Sequence, residues 1–579
     1  SRLNPETGKQ QSVEQKVYDD NELVTVIVEL DAPAVMAQYQ VSSYAAISED
    51  SSAGQAVSEF LSSEESQQAS QQILDGQQSI IDQISALSSN AGVAVASAED
   101  GNGAGVVARW SNLLNGMAVR VPYGILGQIQ QLDGVKRAYV EHVYDRPDEQ
   151  AEVGDAPWYS YSYDKVDVEN VWQEGYTGKG LLVAVLDTGL DLKWSYSYDE
   201  EGNQTMQVTR THEAFRNDSF VSGNPADGTD DWELRYTSES LAAFLEDNQL
   251  NSTTGADGGQ IVYDYNGLYK NLKVPYACDY ADGDINVLPT NSDHGTHVAG
   301  TIAGYAEDSE GQVAFSGIAP DAQLLIMKVF PDEDGGAAEY SIINALEDTL
   351  KLGADVINLS LGSDNGFADD DTVQNDLYET VENAGIVLMT SAGNSSYSSA
   401  SNHYGNNPSS SSVDTAMMSS PAIYSSNLSV ASLENAIQVQ PYLTWKNADG
   451  TQNEVKYADP WSVGMKATFA DGKEYPVYLV DGVGTYDDYN KAGWYNEYSN
   501  PNGKTGFALV MRGEISFEEK VQNAQYFSTV VHGERKGILG VLVYDSDANS
   551  TELINMSVAN TSLSSAFISG KDGAAMEEV

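Results

Sequence analysis

Residues 181–187, LLVAVLD, are an unbroken apolar run set between glycines and closing on a carboxylate. A run this short and this apolar predicts a strand buried on both faces, as in parallel sheets covered by helices on each side. AQLLIMKVF (322–330), DVINLSLG (355–362) and IVLMTSAG (386–393) repeat the pattern. Between them Ile342, Leu346 and Leu350 form one helical stripe, and Val373, Leu377 and Val381 form another. Strand, helix and strand in repetition predict a doubly wound, mostly parallel α/β sheet over residues 151–435. Ligands of such sheets sit beyond the carboxyl ends of the strands, where DTG, SLG and AGN stand here. Residues 193–290, rich in Asp, Gly and Tyr, interrupt the alternation and read as surface elaboration.

At 579 residues the chain is long enough for about three domains. Residues 1–150 open with the strand pattern ELVTVIVEL, continue through a Gln/Ser/Glu-rich stretch (53–87) with helical spacing, and add a second strand, NGMAVRVP. YGILGQIQQLDGVKRAYVEH then predicts a helix from Tyr123 to Leu132, a turn at Asp133 and Gly134, and a strand to His142. The order implies a small α+β domain, followed by a charged linker, YDRPDEQAEVGDAP. Residues 436–579 shift to short strands (PVYLV, FALVMRG, GILGVLVYD, SSAFISG) and one helix, SFEEKVQNAQYF, with Ser516 and Glu519 in a capping-box pattern. They predict a third, β-rich domain.

With 29 basic and 86 acidic residues the formal charge is −57, which repels nucleic acid and anionic lipid. The even acidity, with many Ser, Asn and Tyr, suits a soluble protein exposed to the extracellular environment, with an acidic cytosolic chain as the alternative. Any secretory signal would have been removed ahead of Ser1. No apolar run reaches the roughly 18 residues that would span a bilayer. The single cysteine, Cys278, excludes an internal disulfide framework and a cysteine-based zinc site, and is expected to be buried and inert.

Two histidines stand three residues apart in SDHGTHVAGTIAG (292–304). A catalytic zinc helix presents H-E-x-x-H, with ligands at i and i+4 and a glutamate between; the spacing here differs and Gly295 and Thr296 intervene. No metal site is assigned. Gly300, Ala303 and Gly304 read as a helix side that approaches its neighbours closely and holds His294 rigidly at the helix start. A histidine there, facing a carboxylate on a strand end, has the geometry of a general base held in one tautomer, and Asp187 is the available carboxylate.

VAVLDTGLD, DHGTHVAGTIAG, DVINLSLG and TSAGN occur in the order seen in the subtilisin-like serine peptidases, which this chain resembles. KVPYACDYADGD and GFALVMRGEISFEEKVQNAQ resemble the lactocepin-type cell-envelope proteinases, which carry a protease-associated domain inserted in the catalytic domain. The first 145 residues resemble the inhibitory propeptide of that family, and residues 193–270 match least. The resemblance implies a catalytic domain over 151–435, a protease-associated domain over 436–579, and an N-terminal segment acting as intramolecular inhibitor. It implies that Asp187 orients His294, that His294 shuttles the proton of a serine hydroxyl, and that Asn394 donates to the oxyanion. Ser360, Leu361 and Gly362 would pair with an extended protein or peptide substrate, with Ala392 and Gly393 beside them. His297 would be a packed structural histidine.

The family's nucleophile lies in a G-T-S-M-A-x-P segment after the insertion, and none occurs in these 579 residues. TAMMSSPA (415–422) lacks the Gly-Thr and precedes the insertion. The chain is therefore expected to be a serine endopeptidase precursor cut short before its serine, inactive alone; the alternative is a non-catalytic relative that binds peptides. No cofactor is expected. Calcium would suit the acidic loops, but DYADGDIN lacks the glutamate and spacing of an EF-hand, so no site is assigned.

Overall fold

The computed structural model describes residues 18–39, 52–91, 105–146, 159–198, 204–223, 234–251, 265–290, 292–333, 335–363, 372–394, 418–433, 441–458 and 473–577 apart from a few single positions, and the short pairs 2–3 and 10–11. Most of the charged linker, 147–158, lies outside them.

The N-terminal unit contains strands β1 (Leu23–Leu30), β2 (Gly105–Trp110), β3 (Gly116–Pro122) and β4 (Val135–Val140) in one antiparallel sheet, ordered β2-β3-β1-β4. Helices α1 (Ala53–Ser62) and α2 (Glu64–Asn90) fall in the Gln/Ser/Glu-rich stretch, α1 started by a capping box between Ser52 and Gln55. Alternation along β1 sends Val24, Val26 and Val28 towards Ile80 and Ile84 of α2, while Ile27 joins the main core on the opposite side. The helix expected over 123–132 is shorter: a 3₁₀ turn at Tyr123–Ile125 runs into one α-turn, Leu126–Ile129. A two-residue strand, β5 (Val143–Tyr144), leaves this unit towards the next.

The central unit carries a six-stranded sheet. Its strands are β6 (Leu182–Asp187), β7 (Tyr276–Asp279), β8 (Gln323–Lys328), β10 (Val356–Leu359), β11 (Val387–Ser391) and β12 (Leu428–Val430), with the short β9 (Ala337–Ala338) outside it. The order is β7-β8-β6-β10-β11-β12 and every pairing is parallel. Strand β7 corrects the reading of 193–290 as surface elaboration: Tyr276–Asp279 is an edge strand of the sheet, with all four residues buried.

Three helices cover the sheet: α3 (His294–Ala303), α4 (Glu339–Lys351) and α5 (Gln374–Asn383). Ile342, Leu346 and Leu350 of α4 and Leu377 and Val381 of α5 pack with Leu182, Ala184, Ile357 and Leu388 on one face. Ala299 and Ala303 of α3 pack with Val183, Val185, Leu324 and Ile326 on the other. Ala277 of β7 joins the same cluster, so among the described residues that second face is packed over β7, β8 and β6. Further along it, in register with Val183 through Val356, Val387 is 40% exposed, and Leu428 and Val430 are 57% and 50% exposed.

The N-terminal unit shares the main core with α4. Trp110 donates its indole N–H to Asn344 Oδ1 (2.7 Å). The buried carboxylate of Glu347 accepts from the amides of Asn112 (3.0 Å), Leu113 (2.7 Å) and Leu114 (3.3 Å). A carboxylate so buried is tolerable because these donors replace its water.

The C-terminal unit adds β13 (Tyr442–Lys446), β14 (Gln452–Ala458), β15 (Val477–Leu479), β16 (Gly506–Met511), β17 (Ser528–Val531), β18 (Glu534–Tyr544) and β19 (Ser564–Ile568). They form one mixed sheet ordered β13-β14-β19-β18-β16-β15, with β17 on β18. Helix α6 (Phe517–Gln525) covers one face through Phe517, Val521 and Ala524, and Ser516 caps it by accepting from Glu519 N.

Candidate active site

Strand β6 has β8 on one side and β10 on the other; the chain runs from β6 to the edge strand β7, returns to β8, and then crosses to β10, β11 and β12 on the other side. A crevice opens where the connections part, beyond the strand's carboxyl end, and Asp187 is the last residue there. Its carboxylate is 1% exposed and Oδ1 accepts from Thr188 N (2.7 Å). Across from it, His294 is the first residue of α3, and its Nδ1 lies 2.8 Å from the same oxygen.

Two motifs interlock to hold this contact. Thr188 Oγ1 donates to Ser292 O (2.9 Å) and accepts from Gly295 N (2.9 Å), tying the strand end to the helix start. Asp191 N donates to Thr296 Oγ1 (2.9 Å). Gly189 has φ +111° and a Cβ there would lie 2.2 Å from Val287 O, so only glycine fits. The close approach expected of Gly300 and Gly304 is tightest instead at Gly295. Thr188 was missed in the sequence; its place between an acidic strand end and a glycine was the available signal.

Burial lowers the pKa of His294, but the hydrogen bond and the charge of Asp187 outweigh it and the net shift is upward. With Asp187 accepting at Nδ1, the proton sits on that nitrogen and Nε2 is left to accept. His297 departs from its expected packing: it is exposed and borders an open cavity of about 550 Å³ with Asp191, His212, Phe215 and Phe315. Although the residue is exposed, partial enclosure of its ring, followed by the neighbouring His294, lowers its pKa.

Ser360, Leu361 and Gly362 follow β10, and Ala392, Gly393 and Asn394 follow β11, so the structure brings both segments to the same end of the sheet as Asp187. Ser420 bridges them from below: its backbone exchanges hydrogen bonds with Ser363 (2.9 and 3.0 Å), and Ser419 N donates to Ala392 O (3.0 Å). A Cβ on Gly362 would lie 2.6 Å from Ser420 O, so this glycine admits its own chain's neighbour. Asn394 is exposed at the rim. Ser419 Oγ donates to Ser391 O (2.9 Å), which gives that serine of TAMMSSPA a structural role.

In register with Asp187, Lys328 on β8 sends its ammonium among Asp279, with which it forms a short buried ion pair, Asp282 (3.2 Å) and Asp332 (3.1 Å). The lysine supplies the positive charge that this acidic group requires. Cys278 is buried beside it on β7, its thiol donating to Asp284 O (3.2 Å), and burial holds the thiol far above its ordinary pKa.

The N-terminal unit reaches this rim. Strand β5 pairs antiparallel with β9, Tyr144 opposite Ala337 and Val143 opposite Ala338, and Asp145 N lies 3.4 Å from Ser363 Oγ.

A match to the Subtilase family covers residues 178–578. The chain is 27% identical over 457 residues to the PI-type proteinase of Lactococcus lactis subsp. cremoris, an alignment covering 78% of this chain and 20% of that protein. It is 27% identical over 457 residues to the PII-type proteinase of Lacticaseibacillus paracasei, with the same shares. It is 28% identical over 422 residues to the C5a peptidase of Streptococcus pyogenes serotype M3, covering 72% of this chain and 29% of that one. The chain thus spans between a fifth and three-tenths of the length of these relatives. Among the described residues no helix is long and apolar enough to cross a membrane.

Proposed function

This chain belongs to the subtilase family, and we propose that Asp187 and His294 are the acid–base pair of an extracellular serine endopeptidase that hydrolyses peptide bonds in proteins. The carrying observation is the 2.8 Å contact between His294 Nδ1 and Asp187 Oδ1 at the carboxyl end of β6. Asp187 fixes the tautomer, so Nε2 takes the proton of a serine hydroxyl as that oxygen attacks the scissile carbonyl. The carboxylate then stabilises the imidazolium, which returns the proton to the leaving amine. Asn394, exposed at the rim, donates its amide to the oxyanion. The segments 360–362 and 392–393 hold the substrate backbone as an added strand.

The nucleophile comes from sequence outside these 579 residues. Three observations support this: no Gly-Thr-Ser-Met-Ala segment occurs here, the relatives are several times longer, and the sheet face beyond α3 leaves Val387, Leu428 and Val430 exposed. Residues 1–145 act as an intramolecular inhibitor, a reading supported by the shared core with α4 and by β5 lying on β9 at the rim. Residues 436–579 form a protease-associated domain that shapes access and contributes no catalytic group.

A serine-directed fluorophosphonate tests the reading. In the longer protein it should label one serine in a Gly-Thr-Ser-Met-Ala segment, and His294→Ala should abolish both labelling and turnover. Stoichiometric labelling of the 579-residue chain itself would place the nucleophile within it and overturn the assignment.

A further inference from the structure

The open cavity of about 550 Å³ beside α3 takes no part in the proposed chemistry, yet it borders Asp293, the residue before the base. Its walls come from the chain between β6 and α3, from α3 itself and from the hairpin 305–316, whereas the groove segments 360–362 and 392–393 follow β10 and β11. The two sites are built from different parts of the chain. Phe215 and Phe315 line the cavity, and the His212 ring stands 5.9 Å from that of Phe215. The backbone N–H of Ala214 donates to His212 Nδ1 (3.2 Å), so the neutral ring carries its proton on Nε2.

Charge decides what such a wall can hold. No lysine or arginine lines the cavity, while Asp191 and Asp293 bring two carboxylates to it. Asp293 is exposed at the N-cap of α3, its side chain makes no capping hydrogen bond, and its carboxylate has no ion pair among the described residues. With its pKa lowered, His297 adds no positive charge near neutral pH. A metal ion does not match: the carboxylates and imidazoles here do not converge to ligand spacing, which among the described residues only Asp279, Asp282 and Asp332 reach. An anion would meet two carboxylates. Rings and carboxylate together suit a cation on an apolar stem, whose stem leaves water against the phenylalanines while its head meets Asp293.

We propose that this cavity binds the side chain of an arginine or lysine, or an alkyl cation of the same form, with the stem against Phe215 and Phe315 and the charged head at Asp293. That the side chain belongs to a protein substrate rests on the peptidase reading; the binding itself does not. Occupancy also reaches the base. Burial lowers the pKa of His294, Asp187 on β6 and Asp293 on α3 raise it, and His297 faces it from the same helix. A cation at Asp293 offsets that residue's part of the rise, so occupancy lowers the pKa of His294 and, by linkage, the neutral imidazole tightens binding.

In the 579-residue chain, calorimetric titration with n-butylguanidinium should show saturable binding, and the uncharged n-butylurea should bind about 10-fold more weakly. Asp293→Asn and Phe315→Ala should each weaken butylguanidinium binding about 3-fold. Asp449→Asn, which removes an exposed charge from the C-terminal unit, should leave it unaltered. Nuclear magnetic resonance should show the His294 pKa fall on saturation in the parent chain and stay in place in Asp293→Asn. In the longer, active protein, peptides carrying arginine or its uncharged analogue citrulline at each position around the cleaved bond should differ in kcat/KM by about 3-fold at one position. Asp293→Asn should erase that ratio, which compares two peptides on one enzyme and so cancels any effect of Asp293 on the base. Equal binding of the two butyl compounds, or binding indifferent to Asp293→Asn, would overturn the proposal. Butylguanidinium binding without an arginine preference would keep the site and assign it to a free alkyl cation. If no peptide were cut, the peptidase reading would fail while the titration still decided the cavity.

Discussion

Gly295 packs against Gly189 so closely that a Cβ on Gly295 would lie 2.4 Å from the Gly189 carbonyl oxygen. One glycine belongs to the turn after Asp187 and the other follows His294, so the separation of carboxylate and imidazole is set by a backbone-to-backbone contact. Side-chain rotamers alone could not fix it as tightly, because a flexible arm tolerates shifts that a packed main chain does not.

Gly295→Ala should therefore move the helix start away from β6. The expected cost is about 1–3 kcal/mol of stability from overpacking, with a larger loss of turnover than of substrate binding, since the proposed mechanism uses the stretched contact in the chemical step. Gly300→Ala is the control: its Cβ would meet the Phe315 ring at 3.7 Å, ordinary contact distance. Thermal melts and kcat/KM for both variants in the active protein check this. Equal behaviour of the two would show that the glycine contact does not set the geometry.

Activity and stability should respond to pH in opposite senses. The net upward shift at His294 means the base is protonated, and so useless, until the pH exceeds the ordinary histidine value of about 6.5. The acidic limb of kcat/KM should fall above that value, with activity rising as pH rises. For stability the sign reverses: a folded-state pKa above the unfolded one adds stability in full below the unfolded pKa, and the gain is lost as pH rises through the folded value. Asp187→Asn removes the main causes of the rise and leaves burial and the weaker pull of Asp293, so the His294 limb should move to lower pH, and if the proposed mechanism holds kcat should drop by about 10⁴-fold. Nuclear magnetic resonance titration of the imidazole against the pH–rate profile tests both. An unmoved imidazole pKa in Asp187→Asn would contradict the coupling.

The strands around Asp187 and the pairing with His294 were legible in the sequence because both rest on local signals: apolar runs for buried parallel strands, and short motifs at their ends. Strand Tyr276–Asp279 was not, since four residues following Pro275 and preceding an Asp/Gly-rich turn carry no periodicity, and only pairing with Gln323–Lys328 makes them a strand. The buried place of Tyr144 was hidden for a related reason. Its neighbours are charged, so composition pointed to solvent, while the pocket receiving it is assembled from Gln374, Tyr378 and Glu339, far away in the chain. His297 was expected to pack near the base, and the helix turns that position outward instead.

The bare half of the central sheet gives the last prediction. On the face where α3 covers β6 and β8, the strands β10, β11 and β12 continue the same register outward, and Val387, Leu428 and Val430 stand at 40%, 57% and 50% exposure. Parallel strands are usually covered on both faces, because their side chains gain roughly 25 cal/mol for each Å² of apolar surface removed from water. If sequence outside these residues covers this face, a charge placed there should act differently in the two proteins. In the 579-residue chain, Leu428→Lys and Val430→Lys should leave the melting temperature nearly unchanged and improve solubility, since surface substitutions are usually within about 0.5 kcal/mol. In the longer protein the same substitutions should destabilise by about 2–4 kcal/mol each and reduce activity, because each would bury an unpaired ammonium. Leu388→Lys, on the opposite face already packed by α4 and α5, should be severe in both. Melting curves of the three variants in the two proteins decide the matter, and indifference of the longer protein to Leu428→Lys and Val430→Lys would show that this face stays open to water.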